Sequence, residues 1–506
     1  MIATTQRRAV RPLQATRPGA DRLPAPFVLG QTLHRVRRSV STTPGLLRLG
    51  LGGIWVLSAV TLLAAYLGID RHRHEMQAIG KDSAPSIVAA QQIRGSLADM
   101  QVNVAKHLLE GTDDGSAAGG AKGLHSMPND PDEAYERCRR AAATALVAAA
   151  ENITYGDGER VPIQTIVFAM GTFEQDVARA RVLHQRHDPA YLYQLREAER
   201  VLHLDLLPAA DALNKANLDA LDNAYSSERF SSGLGTAFFV AAAALLLAGL
   251  IAVQLFLFRR TRRVFNLPLI GASVVLALLV AFLVASLLNE SHELKVVKED
   301  CFDSINALSR ARAYAYDARG YQLLALLDPQ RGDVLGRGFS ENAAKLVKLD
   351  AGETLQSVVL SANGNGFTGC LADELHNITF DGEQEAAAQA LRGYADYLSA
   401  SAVATRLSAA GDTRAVQIAL SNSPDVSAGG LNNAGPSSMH GCGYAFTQFD
   451  AALGQTLAIN QREFDAALER GMAGLQGRLA ASFVATGLIA ILTYVGLRPR
   501  LMEYAS

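Results

Sequence analysis

Residues 230–289 read, in order, FSSGLGTAFFVAAAALLLAGLIAVQLFLF, RRTRR and VFNLPLIGASVVLALLVAFLVASLLN. Two apolar runs, Phe230–Phe258 and Val264–Asn289, therefore flank a five-residue basic connector and contain no Asp, Glu, Lys or Arg. Two more runs of this kind lie at Leu49–Ile69 and Leu479–Leu497. As a helix, each is long enough to cross a hydrocarbon core of about 30 Å. The sequence predicts an all-α integral membrane protein with four transmembrane helices.

Basic residues predict the orientation of these helices. Nine arginines precede the first apolar run, against a single acid, Asp21. The connector contributes Arg259, Arg260, Arg262 and Arg263, and the C-terminal tail adds Arg498 and Arg500. Lys and Arg near membrane spans are retained on the cytoplasmic side. We therefore expect a multi-pass plasma-membrane protein with both termini and the connector in the cytoplasm.

This orientation leaves two long polar segments outside the cell. Apolar residues in both recur at spacings of three and four, which is typical of helices that bury one face in a bundle. The predicted order is a disordered basic tail (1–45), transmembrane helix 1 (46–69), extracytoplasmic bundle 1 (70–229), transmembrane helix 2 (230–258), the connector (259–263), transmembrane helix 3 (264–289), bundle 2 (290–478) with a loop insertion (421–443), transmembrane helix 4 (479–497) and a cytoplasmic tail (498–506).

The chain also carries the signature of an internal duplication. The sequence NITYGDGE at 152–159 matches NITFDGE at 377–383 with one residue skipped. From the final Glu of each element, an aromatic residue follows after 14 residues and an Asp after 29. We therefore expect each half to consist of a span, an outer four-helix bundle and a second span.

This repeated element supplies the candidate contacts for a ligand or partner protein: Asn152, Asp157, Glu159, Asn377, Asp381 and Glu383. The simpler interpretation is an interhelical turn, because Asp-Gly favours tight turns and acids favour a helix N-terminus. Pro208 is a candidate flex point or a static kink in the fourth helix of bundle 1.

The sequence contains no recognisable catalytic, metal or cofactor motif. His72 with His74 and His184 with His187 are the close histidine pairs, and neither is completed by further ligands. We expect a protein that is not an enzyme, has no cofactor and does not bind nucleic acid. Four cysteines fall in the outer segments, where disulfides can form, and three pairings are open. A Cys370–Cys442 bridge would anchor the insertion.

The stretch Ile163–Leu221, with YLYQLREAE from Tyr191 and LLPAA from Leu206, resembles a bacterial four-span membrane sensor family of Gram-positive lineages. The segment Ala445–Leu475 is similar as well. The resemblance implies two outer helical domains and no catalytic residue. In the best-understood type it implies a relay from an extracytoplasmic lipoprotein that binds aspartate or glutamate to a cytosolic Ser/Thr protein kinase.

Two functions remain open on these grounds. In the first, the outer bundles sense a ligand or an amino-acid-loaded binding protein, and the four connector arginines pass the signal to a cytosolic partner. In the second, the protein is a cell-envelope scaffold or assembly factor that transmits nothing. The oligomeric state is open too, because two related halves could pair within one chain.

Overall fold

The computed structural model describes residues 43–77, 80, 83–111, 130–261, 266–426 and 439–503. Within these ranges nearly all regular structure is helical, which confirms the predicted fold class. The helices are α1 (Thr43–Gln77), α2 (Ala84–Glu110), α3 (Pro131–Glu151), α4 (Asp157–Gln185), α5 (Tyr191–Val201), α6 (Leu207–Thr261), α7 (Leu267–Lys295), α8 (Asp303–Leu327), α9 (Gly332–Leu346), α10 (Leu355–Ser361), α11 (Cys370–His376), α12 (Glu383–Ala409), α13 (Arg414–Leu420) and α14 (Cys442–Met502).

Four of these helices contain segments long and apolar enough to cross a membrane. The segments are Pro44–Arg71 in α1, Gly233–Arg259 in α6, Leu267–Ser286 in α7 and an apolar stretch within α14. Because α6 and α14 also contain bundle residues, each runs without a break from its bundle into its candidate span. The chain is thus a multi-pass membrane protein.

The chain divides into two compact units, and the first consists of the helical segments up to Leu62, from Ala241 to Leu278 and from Val484 onward. Helices approach closely in this unit where one of them has glycine. A Cβ added at Gly249 would lie 3.3 Å from Leu57, and one at Gly271 would lie 3.5 Å from Leu492. Such contacts between small residues and neighbouring side chains are the usual basis of helix packing in lipid.

The second unit comprises Leu63–Val240 and Leu279–Phe483, and it contains both helical bundles. Bundle 1 is built from α2 to α5 and the first part of α6. Bundle 2 is built from α8 to α13 and the first part of α14. Buried side chains of both bundles form one continuous hydrophobic core, with members such as Leu97, Phe173, Leu323, Tyr394 and Phe449.

Helices α2 and α8 form the centre of this shared core. Both are rich in buried small residues, among them Ala98 and Ala105 of α2 and Ala311 and Ala315 of α8. A Cβ added at Gly320 of α8 would lie 3.0 Å from the side chain of Gln101 on α2. The two halves therefore pair within one chain through their first outer helices.

Bundle 2 departs from a simple four-helix bundle. Its second helical segment is divided into α9, α10 and α11, and a two-residue antiparallel strand pair, β1 (Lys348–Leu349) with β2 (Phe367–Thr368), joins the pieces. Gly369, with φ of +121°, directly precedes α11, and a Cβ there would lie 2.5 Å from the carbonyl oxygen of Leu346. Glycine is therefore required at this turn.

The turns that end the third helix of each bundle have matching geometry. In bundle 1, the backbone N–H of Asp188 donates to Leu183, and its carboxylate accepts the N–H of Ala190. In bundle 2, the N–H of Asp412 donates to Leu407, and its carboxylate accepts the N–H of Arg414. This agreement in geometry supports the internal duplication. Descent of the two halves from one ancestral half stays a prediction.

Polar contacts add to the pairing of the two bundles. Arg196 of α5 donates to both carboxylate oxygens of Asp328, at 2.8 and 3.0 Å, and Arg331 makes the same bidentate contact with Glu199. Asp328 is 3% exposed, so loss of Arg196 would leave this buried carboxylate without its ion-pair partner.

We predict that Arg196→Gln lowers the stability of the paired bundles by about 2 kcal/mol. This predicted loss of stability is smaller than the usual cost of breaking a buried ion pair, because Arg196 is partly solvent-exposed. The matched control is Arg200→Gln on the same helix, which breaks an exposed pair with Glu197. Thermal unfolding of the purified full-length protein measures both. Equal melting temperatures for the two variants would show that the Arg196–Asp328 contact does not hold the bundles together.

Candidate functional site

The two Asn-Ile-Thr elements form the same hydrogen-bonded turn. The side-chain amide of Asn152 donates to Ser86 on α2 at 2.8 Å, and that of Asn377 donates to Ser304 on α8 at 2.8 Å. The hydroxyls of Thr154 and Thr379 donate to the carbonyl oxygens of these asparagines. Each element thus ties the end of one helix to the first outer helix of its own bundle.

The acids of the two turns act as internal acceptors. Glu159 is 1% exposed and accepts the backbone N–H groups of Thr154 and Tyr155 at 2.7 and 2.6 Å. Glu383 is fully buried and accepts those of Thr379 and Phe380 in the same way. These charge-assisted bonds lie at the N-termini of α4 and α12, where negative charge is favoured.

Of the six predicted contact residues, four are therefore engaged in holding the turns. Asp157 and Asp381 are exposed to solvent instead. These hydrogen bonds are the ones expected of an interhelical turn. Contact with a ligand or partner protein stays a prediction for this element.

Bundle 2 differs from bundle 1 by one buried carboxyl group next to its turn. Glu374 lies three residues before Asn377 and is 1% exposed, whereas the residue three before Asn152 is Ala149. Burial, followed by the negative charge of neighbouring Glu383, raises the pKa of Glu374 to about 8. Two carboxylates this close in a buried site cannot both be ionised without a large cost, so Glu374 holds a proton at neutral pH.

We predict that Glu374→Gln removes a pH dependence of bundle stability. A glutamate in an unfolded chain has a pKa near 4.3, so the folded protein binds the extra proton between about pH 4 and pH 8. Stability of the wild type therefore falls as pH rises through this window, by on the order of a few kcal/mol. The glutamine variant lacks this contribution and should be the more stable protein at pH 8.

Melting temperatures between pH 5 and pH 9 test this expectation. Glu385→Gln is the matched control, because Glu385 is exposed on the first turn of α12. If the melting temperatures of the wild type and of Glu374→Gln changed with pH in the same way, Glu374 would not be protonated in the folded protein.

A second polar cluster lies between the bundles and is centred on His203. The imidazole is 3.2 Å from the amide nitrogen of Gln101 on α2 and 3.5 Å from the hydroxyl of Tyr321 on α8. Its ring stacks on Tyr321 with centroids 5.1 Å apart. Burial lowers the pKa of His203, which keeps the ring neutral. Sequence analysis missed this residue, because a single histidine in a leucine-rich helix carries no pattern.

His203 belongs to a π-helical turn, Leu202–Leu206, that joins α5 to α6. The N–H of Leu207 donates to Leu202, five residues back. Pro208 follows directly, and its missing N–H and bulky ring disfavour an ordinary α-turn at this point. The wider π-turn absorbs the proline without a break in the helix, and such turns are frequent at functional sites. Whether Pro208 flexes stays a prediction.

Arg319 of α8 is a buried cation in the core of bundle 2. It is 1% exposed and lies 5.0 Å from the ring centroid of Phe446 and 5.8 Å from that of Tyr397. One guanidinium nitrogen donates to the carbonyl of Ala419 at 3.3 Å. Cation–π contacts stabilise a guanidinium that is out of reach of water.

The candidate disulfide between Cys370 and Cys442 is not formed. All four cysteines are free thiols. Cys442 accepts a hydrogen bond from Gln322 of α8, at 3.5 Å, while Cys370 begins the short helix α11. The two thiols thus serve different packing contacts in bundle 2. Burial raises the pKa of both, so neither is a reactive thiolate.

The connector arginines are described only in part. Arg259 is exposed near the C-terminal end of α6. Arg262 and Arg263 lie outside the described residues, as does the side chain of Arg260. The N-terminal tail up to residue 42 and residues 427–438 of the insertion also lie outside them. Among the described residues, no group of three or more His, Cys, Asp or Glu side chains is arranged to hold a metal ion.

Residues 75–226 match the family model of an actinobacterial sensor domain. The matched segment corresponds to bundle 1 with its turn at Asn152 and its His203 cluster, so this part of the chain is similar to a bacterial sensor domain. No curated protein and no solved structure matches the chain.

Proposed function

We propose that this protein is a transmembrane signal relay whose paired outer bundles receive a signal and pass it to a cytosolic partner. The sensor-domain match of bundle 1 supports a sensor or signalling role and favours a non-enzymatic one. The observation that carries the relay itself is the continuity of α6 and α14. Each is one helix that holds bundle core residues at one end and a candidate span at the other.

Continuous helices give the relay a mechanical basis. Leu213 and Leu221 of α6 are fully buried in the outer bundles, and the same helix reaches the connector at Thr261. Packed helices respond to ligands by shifts or rotations of an angstrom or two, and a helix without a break carries such a shift along its length. A change at the bundles therefore becomes a displacement at the connector.

The proposed input is an extracytoplasmic binding protein or a small ligand that contacts the bundles. Within the two repeated turns, Asp157 and Asp381 can meet a partner without loss of the bonds that hold the turn. The resemblance to four-span sensors favours a lipoprotein loaded with aspartate or glutamate. It also favours a Ser/Thr protein kinase as the cytosolic partner, which would contact Arg259, Arg260, Arg262 and Arg263 in the proposed topology.

Co-purification from membranes tests the relay. The full-length protein, tagged at its C-terminus, is isolated with and without added aspartate or glutamate, and bound proteins are identified by mass spectrometry. We expect a solute-binding lipoprotein, together with a kinase or regulator whose recovery changes severalfold with the amino acid. Recovery of envelope proteins alone, unchanged by either compound, would favour the scaffold.

Replacement of the four connector arginines by Gln should abolish recovery of the cytosolic partner and leave the lipoprotein bound. The expectation rests on the loss of four charges at the proposed contact. The control replaces the same number of exposed bundle arginines by Gln: Arg137, Arg160, Arg200 and Arg462. Unchanged partner recovery in the connector variant, with topology intact, would place the contact elsewhere.

Continuity of α6 is tested separately with Ser226→Pro. Ser226 is exposed in α6, and a proline here removes a backbone donor and clashes with the carbonyl of Asp222. We expect the cytosolic partner to become insensitive to the amino acid while the outer bundles resist protease. Ser226→Ala, which keeps the helix, should respond as the wild type does. A full response in the proline variant would exclude α6 as the route.

A further inference from the structure

Helix α4 of bundle 1 has an exposed face without charged side chains. Between residues 161 and 178 the exposed residues are Val161, Gln164, Val167, Phe168, Gly171, Thr172, Gln175 and Ala178. Phe168 is 78% exposed and Val161 is 55% exposed. Single apolar residues are common on protein surfaces, but this uncharged face is about five helical turns long. Loss of charge around an exposed aromatic ring is typical of the centre of a protein interface.

Bundle 2 has charged side chains at the equivalent positions of α12. The matching turns align Glu159 with Glu383, and both are buried at the start of their helices. In this register three exposed apolar residues of α4 are replaced by exposed charged ones: Glu385 for Val161, Arg392 for Phe168 and Arg406 for Val182. The uncharged face is therefore a feature of α4 and not of the repeated fold.

The exposed apolar residues of α4 recur at a spacing of seven. Val161, Phe168 and Val182 follow this spacing, and Gln175 occupies the position between the last two. We call these four residues the α4 seam. A seven-residue repeat allows two helices to pack along their length as in a coiled coil. A Cβ added at Gly171, next to the seam, would meet no neighbouring atom of the described residues within 4 Å, so a second backbone can approach closely.

Charged side chains beside the seam suit a parallel helix of identical sequence. In a parallel pair, Glu174 of one helix lies opposite Arg179 of the other, because residues five apart on either side of a heptad seam meet across it. Within one chain, Glu174 is 3.7 Å from Arg139, and Arg179 is 3.8 Å from Asp176. Both distances exceed hydrogen-bond length, and the two side chains are 36% and 56% exposed. Each can therefore turn toward a partner helix.

A parallel pair through α12 would be unfavourable by the same reasoning. It would place Arg392 against its own counterpart, and likewise Arg406. Like charges at these positions disfavour association. The two bundles thus differ in the property that decides whether a helix face can bind a copy of itself.

We infer that the exposed face of α4 binds the same face of a second copy of this chain, with the two α4 helices parallel and Phe168 against its counterpart. Such a contact is isologous, because both copies contribute the same residues. It leaves the pairing of the bundles within each chain unchanged, since that pairing uses α2 and α8. The inference does not depend on the proposed relay.

Cross-linking in native membranes tests the contact. Phe168→Cys places a thiol at the middle of the seam, and a short bismaleimide should join two copies into a dimer that persists on a denaturing gel. Arg392→Cys is the matched control, because it is the equivalent exposed position of bundle 2. This control should stay monomeric, as should the wild type with its four native cysteines. No dimer from Phe168→Cys, or the same yield from both variants, would overturn the contact through α4.

The mass of the purified full-length protein in detergent, measured by light scattering, tests the identity of the partner. We expect a dimer for the wild type. Phe168→Arg should weaken self-association more than about tenfold, because it places like charges against each other. The exposed position of Phe168 allows this variant to fold, and thermal unfolding checks that it does. An unchanged dimer in Phe168→Arg would overturn the inference. So would a monomeric wild type that loses its lipoprotein on the same substitution, which would assign the face to that partner.

Exchange of the two charges tests the parallel register. Glu174→Arg or Arg179→Glu alone should weaken self-association about threefold, since each places like charges across the pair. The double variant should recover the affinity of the wild type. Arg137→Glu, which changes an exposed charge on α3, is the control and should associate as the wild type does. A double variant as weak as the single ones would overturn the parallel arrangement.

Discussion

The pairing of α2 with α8 sets the conditions for the rest of the outer domain. Small side chains on both helices let their backbones approach, and this contact draws the two bundles into one hydrophobic core. Polar groups buried at this contact then require hydrogen-bond or ion-pair partners, because unpaired polar groups are costly when buried. Arg94 of α2 accordingly donates to Asp317 of α8 and to Asp211 of α6, each at 2.8 Å. The pairing thus links the first outer helix of each half to a helix that continues into a span.

The two halves share their turns but differ in the groups that can titrate or bind. Bundle 1 has a neutral His203, whereas bundle 2 has a protonated Glu374 and a buried Arg319. Identical halves would respond identically to any ligand. The differences give each bundle its own chemistry within a common frame.

Four spans, helical outer segments and repeated turns could all be predicted from the sequence, because each depends on local periodicity or on a motif of a few residues. A place at a helix N-terminus could also be expected for Glu159 and Glu383. The backbone N–H groups that they accept could not be predicted, because the sequence does not distinguish a carboxylate that bonds its own turn from one that faces solvent. Glu374 and His203 owe their properties to burial against residues of other helices, Glu383 in one case and Gln101 with Tyr321 in the other. The division of the second helix of bundle 2 was missed because short helices with turns between them lack a sustained period. A bridge between Cys370 and Cys442 could not be judged from the sequence either, because the sequence carries no information on the distance between two thiols.

Pairing within one chain also changes how assembly depends on expression. Two separate subunits associate only above a concentration set by their dissociation constant, so a scarce receptor is partly monomeric. Two bundles joined by α6 and α7 meet at an effective concentration fixed by the connection, commonly in the millimolar range. The fraction of paired bundles therefore does not depend on the concentration of the protein in the membrane. The fraction of the protein with paired bundles would be the same in a cell with very few copies as in a cell with many.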